Sequence, residues 1–112
     1  MIKIKFSKDT KDNLSLVVKG HADYGEHGQD PCCAAVTILC YTLANLVLSM
    51  EAGGGLAGRP MIKLESGDAV IKCTPNSTSK TDLVKMYLFS ECGFKILEEN
   101  YPDNVKIIKT LL

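Results

Sequence analysis

The sequence has no excess of either charge. Thirteen Lys and Arg residues stand against thirteen Asp and Glu, for a formal net charge of zero. No surplus of basic residues exists to neutralise phosphates, so neither direct nucleic-acid binding nor an anionic membrane is expected. A local basic patch would be hidden in that total. The chain also lacks the pattern of a secretory leader: Met1 to Phe6 alternates apolar and charged residues where a leader carries one continuous apolar run. The most apolar stretch, Ala34 to Met50, is interrupted by Thr37, Cys40, Thr42, Asn45 and Ser49 and reads as a buried helix, not a membrane span. No Cys-x-x-Cys occurs, and Gly53-Gly54-Gly55 is not followed by the Lys-Ser/Thr of a phosphate loop. Together these absences point to a cytoplasmic protein with no cofactor, no metal and no membrane partner.

What is present fits one domain spanning residues 1–112. The chain has 112 residues and 46% hydrophobic content, enough to bury a core without disulfide or metal staples. Five cysteines is an odd number, and in a reducing compartment they are expected to be free thiols.

Residues 2–8 alternate with period two and predict a strand. Leu14 to Lys19, after the Asp12-Asn13 turn signal, predicts its antiparallel partner, ended by Gly20. Residues 21–29 hold two histidines, two glycines and two acids without apolar periodicity, and read as a polar loop. Asp30-Pro31 is a helix start: Asp accepts hydrogen bonds from free N–H groups, and Pro suits the first helical position. That helix should run to about Met50 or Glu51 at the centre of the core. Ala52 to Pro60 predicts a flexible connection. Met61 to Leu64 and Ala69 to Cys73 predict short strands around Ser66-Gly67-Asp68. Thr81 to Glu99 predicts a second helix, weakened at Gly93, and Val105 to Leu112 a last strand. The order ββαββαβ predicts an α+β fold: a small antiparallel or mixed sheet of about five strands packed with two helices.

The chemistry gathers in residues 20–36. Cys33 falls in the first turn of the predicted helix, where free N–H groups and the positive end of the helix dipole favour a thiolate. The N–H groups of Cys33 and Ala34 are also candidates for receiving a developing oxyanion. His21 follows the end of a strand, on a comparatively fixed mount. Folding of the intervening loop would bring imidazole and thiol together as a nucleophile–base pair. On residue types alone, a buried and inert cysteine remains the competing reading.

The string Gly20-His21-Ala22 … Gly28-Gln29-Asp30 … Cys33-Ala34-Ala35-Val36 resembles the signature of the ribosomal-processing cysteine protease Prp family. The opening strand, the Gly-rich middle and the late Tyr101-Pro102-x-x-Val105 also match, so the resemblance covers the whole chain. It implies a homodimeric endopeptidase that removes a short N-terminal extension from a large-subunit ribosomal protein, cutting at a hydrophobic, Phe-containing motif. It assigns the catalytic dyad to His21 and Cys33, and it implies a mobile loop between them that helps shape the substrate site. Three positions depart from the family pattern: Pro31, Cys32 and Thr37. Cys32 places a second thiol beside the first, but Ala34-Ala35 follow Cys33 directly, as the motif requires.

Alternatives stand beside this reading. Asp30 either caps the helix or orients His21 as the third member of a triad. His27 is a second candidate base, in mid-loop. His21, His27, Cys32 and Cys33 are zinc-ligand types, but adjacent cysteines on a helix point apart. A non-enzymatic ribosome-associated binding module of the same fold is the rival function. Gly20 and Gly28 are expected to shape the loop around the site. Cys73 and Cys92 are expected in the core.

Overall fold

The computed structural model describes residues 1–26 and 28–112. Its elements follow the predicted order: β1 (Ile2–Lys8), β2 (Leu14–Lys19), α1 (Pro31–Ala52), β3 (Met61–Glu65), β4 (Asp68–Cys73), α2 (Lys80–Asn100) and β5 (Val105–Lys109). The strands form one mixed sheet in the order β3-β4-β2-β1-β5. Only β1 and β5 run parallel; the other neighbours are antiparallel.

Alternation in the strands sets which face is covered. Ile2, Ile4 and Phe6 of β1, Leu14, Leu16 and Val18 of β2, and Ala69, Ile71 and Cys73 of β4 point to one side and are buried. Both helices pack there, and Phe6 meets Phe94 of α2 edge to face at 5.9 Å. Among the described residues no helix covers the other face of the sheet, which is open.

α1 is long and apolar enough to cross a membrane by length and composition, but it lies on the sheet. Its apolar composition predicts a helix at the centre of the core, but only one face of it is buried. Cys32, Val36, Cys40, Leu43, Ala44 and Val47 form one buried face, while Ile38, Tyr41 and Leu48 are exposed. Gly93, expected to weaken α2, is where the helices approach closely: a Cβ there would meet Leu39 Cδ2 at 2.7 Å. The half-buried Leu39 occupies the room that the missing side chain leaves.

One connection, several element boundaries and one burial differ from expectation. The connection after α1 is pinned rather than loose. Ala57 N–H donates to Thr74 O at 2.8 Å, Asn76 N–H donates to Gly55 O at 3.0 Å, and Leu56 bridges Pro75. Asn76 Oδ1 accepts from the N–H groups of Thr78 and Ser79, so α2 starts one residue early, at Lys80. β5 stops at Lys109 because the chain leaves the sheet: buried Glu91 accepts from Leu111 N–H at 2.6 Å and seats Leu111 in the core. Cys92 is exposed on the outer side of α2, not in the core.

Candidate active site

β2 lies beside β4 with Lys19 paired to Asp68, which puts the end of β2 next to the β3–β4 turn. Gly20 N–H donates to Gly67 O in that turn at 3.0 Å. Gly20 has φ +100°, and a Cβ on it would lie 2.2 Å from Met1 O, so only glycine fits. The chain then leaves the sheet and lays the His21 imidazole on Gly67. A Cβ on Gly67 would sit 2.6 Å from His21 Nε2 and 2.8 Å from Cε1. Lys19 and Lys63 both pair with Asp68 and fasten this turn. Hydrogen bonds from the two ammonium groups, with their charge adding to them, hold the Asp68 carboxyl below the usual carboxylate range.

From the other side, the first turns of α1 bring Cys33. A cavity of about 270 Å³ opens between the two, lined by both His21 and Cys33. Val18, Val36, Cys40, Leu64, Ala69 and Tyr41 supply its apolar wall. Cys33 is partly exposed, whereas Cys32 is completely buried, so the adjacent thiols do face different ways. Burial, with the Asp30 charge adding to it, raises the Cys32 thiol pKa. Burial pushes Cys40, in the cavity wall, up to about 12. No hydrogen bond joins His21 to Cys33, which leaves the two groups as neighbours across an open recess.

Asp30 caps α1. It is only 7% exposed. One carboxylate oxygen accepts from Cys32 and Cys33 N–H at 2.9 and 3.1 Å; the other accepts from Tyr24 and Gly25 N–H at 3.0 and 3.1 Å. Burial would raise its pKa, but these four donors outweigh burial and lower it. All four bonds go to backbone, and none reaches His21. The expected use of the free N–H groups by a thiolate or an oxyanion is corrected here. Cys33 N–H is held by the Asp30 side chain, and Ala34 N–H donates to Asp30 O at 3.0 Å in the helix itself. Ala34 is exposed and lines no part of the cavity.

The loop from Ala22 to Asp30 is tied at its described residues. Asn104 Nδ2 donates to Ala22 O at 2.8 Å. The rings of Tyr24 and Tyr101 meet edge to face at 4.9 Å. Ile2 N–H donates to Asn104 O at 2.7 Å, which joins this anchor to β1. The Tyr101-Pro102-x-x-Val105 segment therefore holds the root of the His21 loop. Gly28, with φ +84° and open space around it, serves the loop's backbone path and not the cavity. His27 lies outside the described residues.

Sequence reasoning missed Gly67, Tyr41 and Leu64 as site residues. Ser66-Gly67 between two alternating segments does signal a hairpin. Nothing in the local sequence says that β4 will lie against β2 and bring the hairpin tip under His21.

The family model described as Cysteine protease Prp matches residues 1–106. The chain belongs to the Prp cysteine protease family. Among curated Prp proteins, the ribosomal processing cysteine protease Prp of Bacillus subtilis (strain 168) is 30% identical over 107 residues, covering 91% of this chain and 90% of that one. The Prp of Staphylococcus aureus (strain Mu50) is 22% identical over 94 residues, covering 82% of each. The fold is that of the S. aureus Prp crystal structure with a covalently linked product peptide: TM-score 0.77, 20% identity, 98% of this chain and 100% of that one covered. The S. aureus Prp structure with a substrate peptide superposes with TM-score 0.69 at 18% identity, with the same coverage.

Proposed function

We propose that the protein is a cysteine endopeptidase that removes the N-terminal extension of a large-subunit ribosomal protein, with Cys33 as nucleophile and His21 as base. The observation that carries the reading is the shared cavity. Two groups 12 positions apart in sequence line one recess of about 270 Å³. One of them is the only partly exposed thiol on α1, because Cys32 and Cys40 are buried.

The reaction is acyl transfer. His21 takes the Cys33 proton, and the thiolate sulfur attacks the scissile carbonyl carbon to form a C–S bond. Imidazolium then gives its proton to the leaving amine as the C–N bond breaks. Water, deprotonated by His21, attacks the thioester; the C–S bond breaks, the imidazolium returns its proton to the Cys33 sulfur, and the acid product leaves. The apolar wall suits a hydrophobic side chain next to the scissile bond, in keeping with the Phe-containing motif that the family resemblance implies. Substrate has to bring His21 and Cys33 into hydrogen-bonding contact, since they are not bonded in its absence. Closure on binding would restrain proteolysis of other proteins.

The same proposal includes a homodimer in the cytoplasm. Ile38, Tyr41 and Leu48 on α1 and Phe89 and Ile96 on α2 are large apolar side chains left exposed, Phe89 at 73%. A second copy is the occupant that the family resemblance gives this helix layer. Sedimentation of wild type against Ile38→Lys/Phe89→Lys tests it: a dimer that becomes a monomer supports the assignment, and an unchanged dimer refutes it.

Incubation with a peptide bearing the ribosomal-protein extension tests the activity. Cleavage by wild type, abolished in Cys33→Ala, supports the protease. Saturable binding without product supports a binding module instead.

A further inference from the structure

The zero net charge conceals a division between two faces. Residues that pair in register across a sheet share a face, and the open face here is rich in lysine. β1 presents Lys3 and Lys5 there, and β2 presents Lys19 opposite Lys3. On the far side of β1, Lys106 of β5 lies opposite Lys3 and Lys109 opposite Lys5. Lys72 of β4 lies opposite Ser15, and Lys63 of β3 opposite Val70. All seven are exposed. The only acids in the same registers are Asp68 and Glu65. Seven lysines against two acids leave this face at +5. Of the 13 basic and 13 acidic residues, 6 and 11 remain elsewhere, so the rest of the molecule is at −5.

The acids do not dilute the charge evenly. Asp68 is taken by Lys19 and Lys63, and Lys63 also stands 3.8 Å from Glu65. Lys3, Lys5, Lys72, Lys106 and Lys109 have no acidic partner among the described residues. Lysine on the edge strands is explained by protection against edge-to-edge pairing. That does not account for Lys3 and Lys5, because β1 is internal, between β2 and β5. Like charges directly opposite each other on paired strands are destabilising, and β1 makes three such pairs: Lys3 with Lys19, Lys3 with Lys106, and Lys5 with Lys109. A face that only needed to be wet would intersperse the signs.

We propose that this open sheet face binds the phosphate backbone of RNA. Strands about 4.8 Å apart set Lys19, Lys3 and Lys106 in a row across the sheet, a short rail for a phosphodiester chain. Among the described residues the strands of this face present no aromatic side chain on which a base could stack and no arginine; Arg59 stands only at its edge, beside Met61 and Lys72. The face therefore grips the backbone without choosing sequence. RNA is preferred over an acidic protein or a lipid surface because the proposed substrate is a ribosomal protein; in this the inference rests on the function proposed above. The Lys19–Asp68 end of the row adjoins the turn that carries Gly67, on which His21 rests, so bound RNA would hold its protein partner beside the cavity.

The test measures binding of a fluorescent RNA, single-stranded and duplex, by the full chain over a salt series. Phosphatidylserine vesicles and polyglutamate are parallel probes. Binding should be independent of sequence and weaken with a log–log salt slope of about −4, as expected for some five phosphate contacts. Lys3→Gln/Lys5→Gln/Lys106→Gln should weaken it about 10-fold or more at low salt and flatten the slope. Cleavage of a short peptide should be unchanged in the same variant. The pair Lys5→Gln/Lys109→Gln, which relieves a like-charge pair, should fold with a melting temperature at or above wild type and bind RNA more weakly. No RNA binding at low salt, binding unaffected by either variant, or equal binding of vesicles or polyglutamate would overturn the proposal. Peptide cleavage is scored separately: RNA binding without cleavage would retain the basic face and reject the protease.

Discussion

The His21 imidazole rests directly on Gly67, so closely that a single added methyl group would come within 2.6 Å of Nε2. The contact joins the end of β2 to the tip of the β3–β4 hairpin and fixes where the proposed base stands.

Gly67→Ala is therefore expected to displace the imidazole and lower kcat on the order of 10- to 100-fold with a smaller change in KM. Gly67 also has φ +71°, so backbone strain must be separated from displacement. Gly54→Ala is the control, because Gly54 has φ +78° and nothing within 4 Å of a Cβ. It should destabilise the fold somewhat without affecting kcat. Asn tolerates the left-handed region better than Ala, yet Gly67→Asn should be as inactive as Gly67→Ala. Recovery of activity in the Asn variant would make strain, not the imidazole, the cause.

The five thiols should separate by burial. Cys33 and Cys92 are accessible; Cys32 and Cys73 have pKa values raised chiefly by burial, and Cys40 is pushed up to about 12. Limiting iodoacetamide on the native protein at pH 8, read by peptide mass, should label Cys33 and Cys92 and spare the other three until denaturant is added. Early labelling of Cys32 would contradict the burial described for it.

Acid should loosen the site through Asp30. Its folded pKa is depressed below the ordinary carboxylate value of 3.8. The stability that the ionised carboxylate contributes is thus fully present above that value and is lost only as pH falls through the lower, folded one. Melting temperature against pH should hold down to about pH 4 and then fall. In Asp30→Asn, which cannot accept all four N–H bonds, the plateau should be lower by about 5 °C and the acid limb shallower. An identical acid limb in both proteins would show that Asp30 contributes nothing to it.

Tyr101→Ala and Asn104→Ala remove the ring and the amide that hold the root of the loop at Tyr24 and Ala22, without touching the cavity. Both should lower kcat/KM about 10-fold through disorder of the 22–30 segment. Hydrogen exchange at Tyr24 and Gly25 should rise in step. Full activity with fast exchange at these amides would mean that the loop does not position His21.

Much of the architecture was legible because it is local. The period-two alternation of Ile2 to Lys8 and the Asp30-Pro31 cap each specify their own element, and the ββαββαβ order followed from them. What depends on contacts distant in sequence was not legible. The placement of β4 beside β2, which seats His21 on Gly67, is set by how the hairpins share one core. Glu91 capturing Leu111, and Asn76 and Thr74 pinning the connection at Gly55 and Ala57, are likewise long-range bonds. The use of the α1 N–H groups was misjudged for a different reason. Asp30 was recognised as a cap, but a cap fills the very seat that was assigned to the thiolate and the oxyanion. The lysine face appears only once cross-strand register is known, because in sequence Lys3, Lys19, Lys72 and Lys106 lie far apart.

The measurement that bears most directly on the central claim is a rapid-quench digestion of the extension-bearing ribosomal protein, with peptide mass mapping of the enzyme at early times. A transient thioester carrying the extension on Cys33, absent from Cys32 and Cys40 and abolished in Cys33→Ala together with cleavage, is the expected result. Cleavage that proceeds at the wild-type rate in Cys33→Ala, or an acyl group found on another thiol, would contradict it.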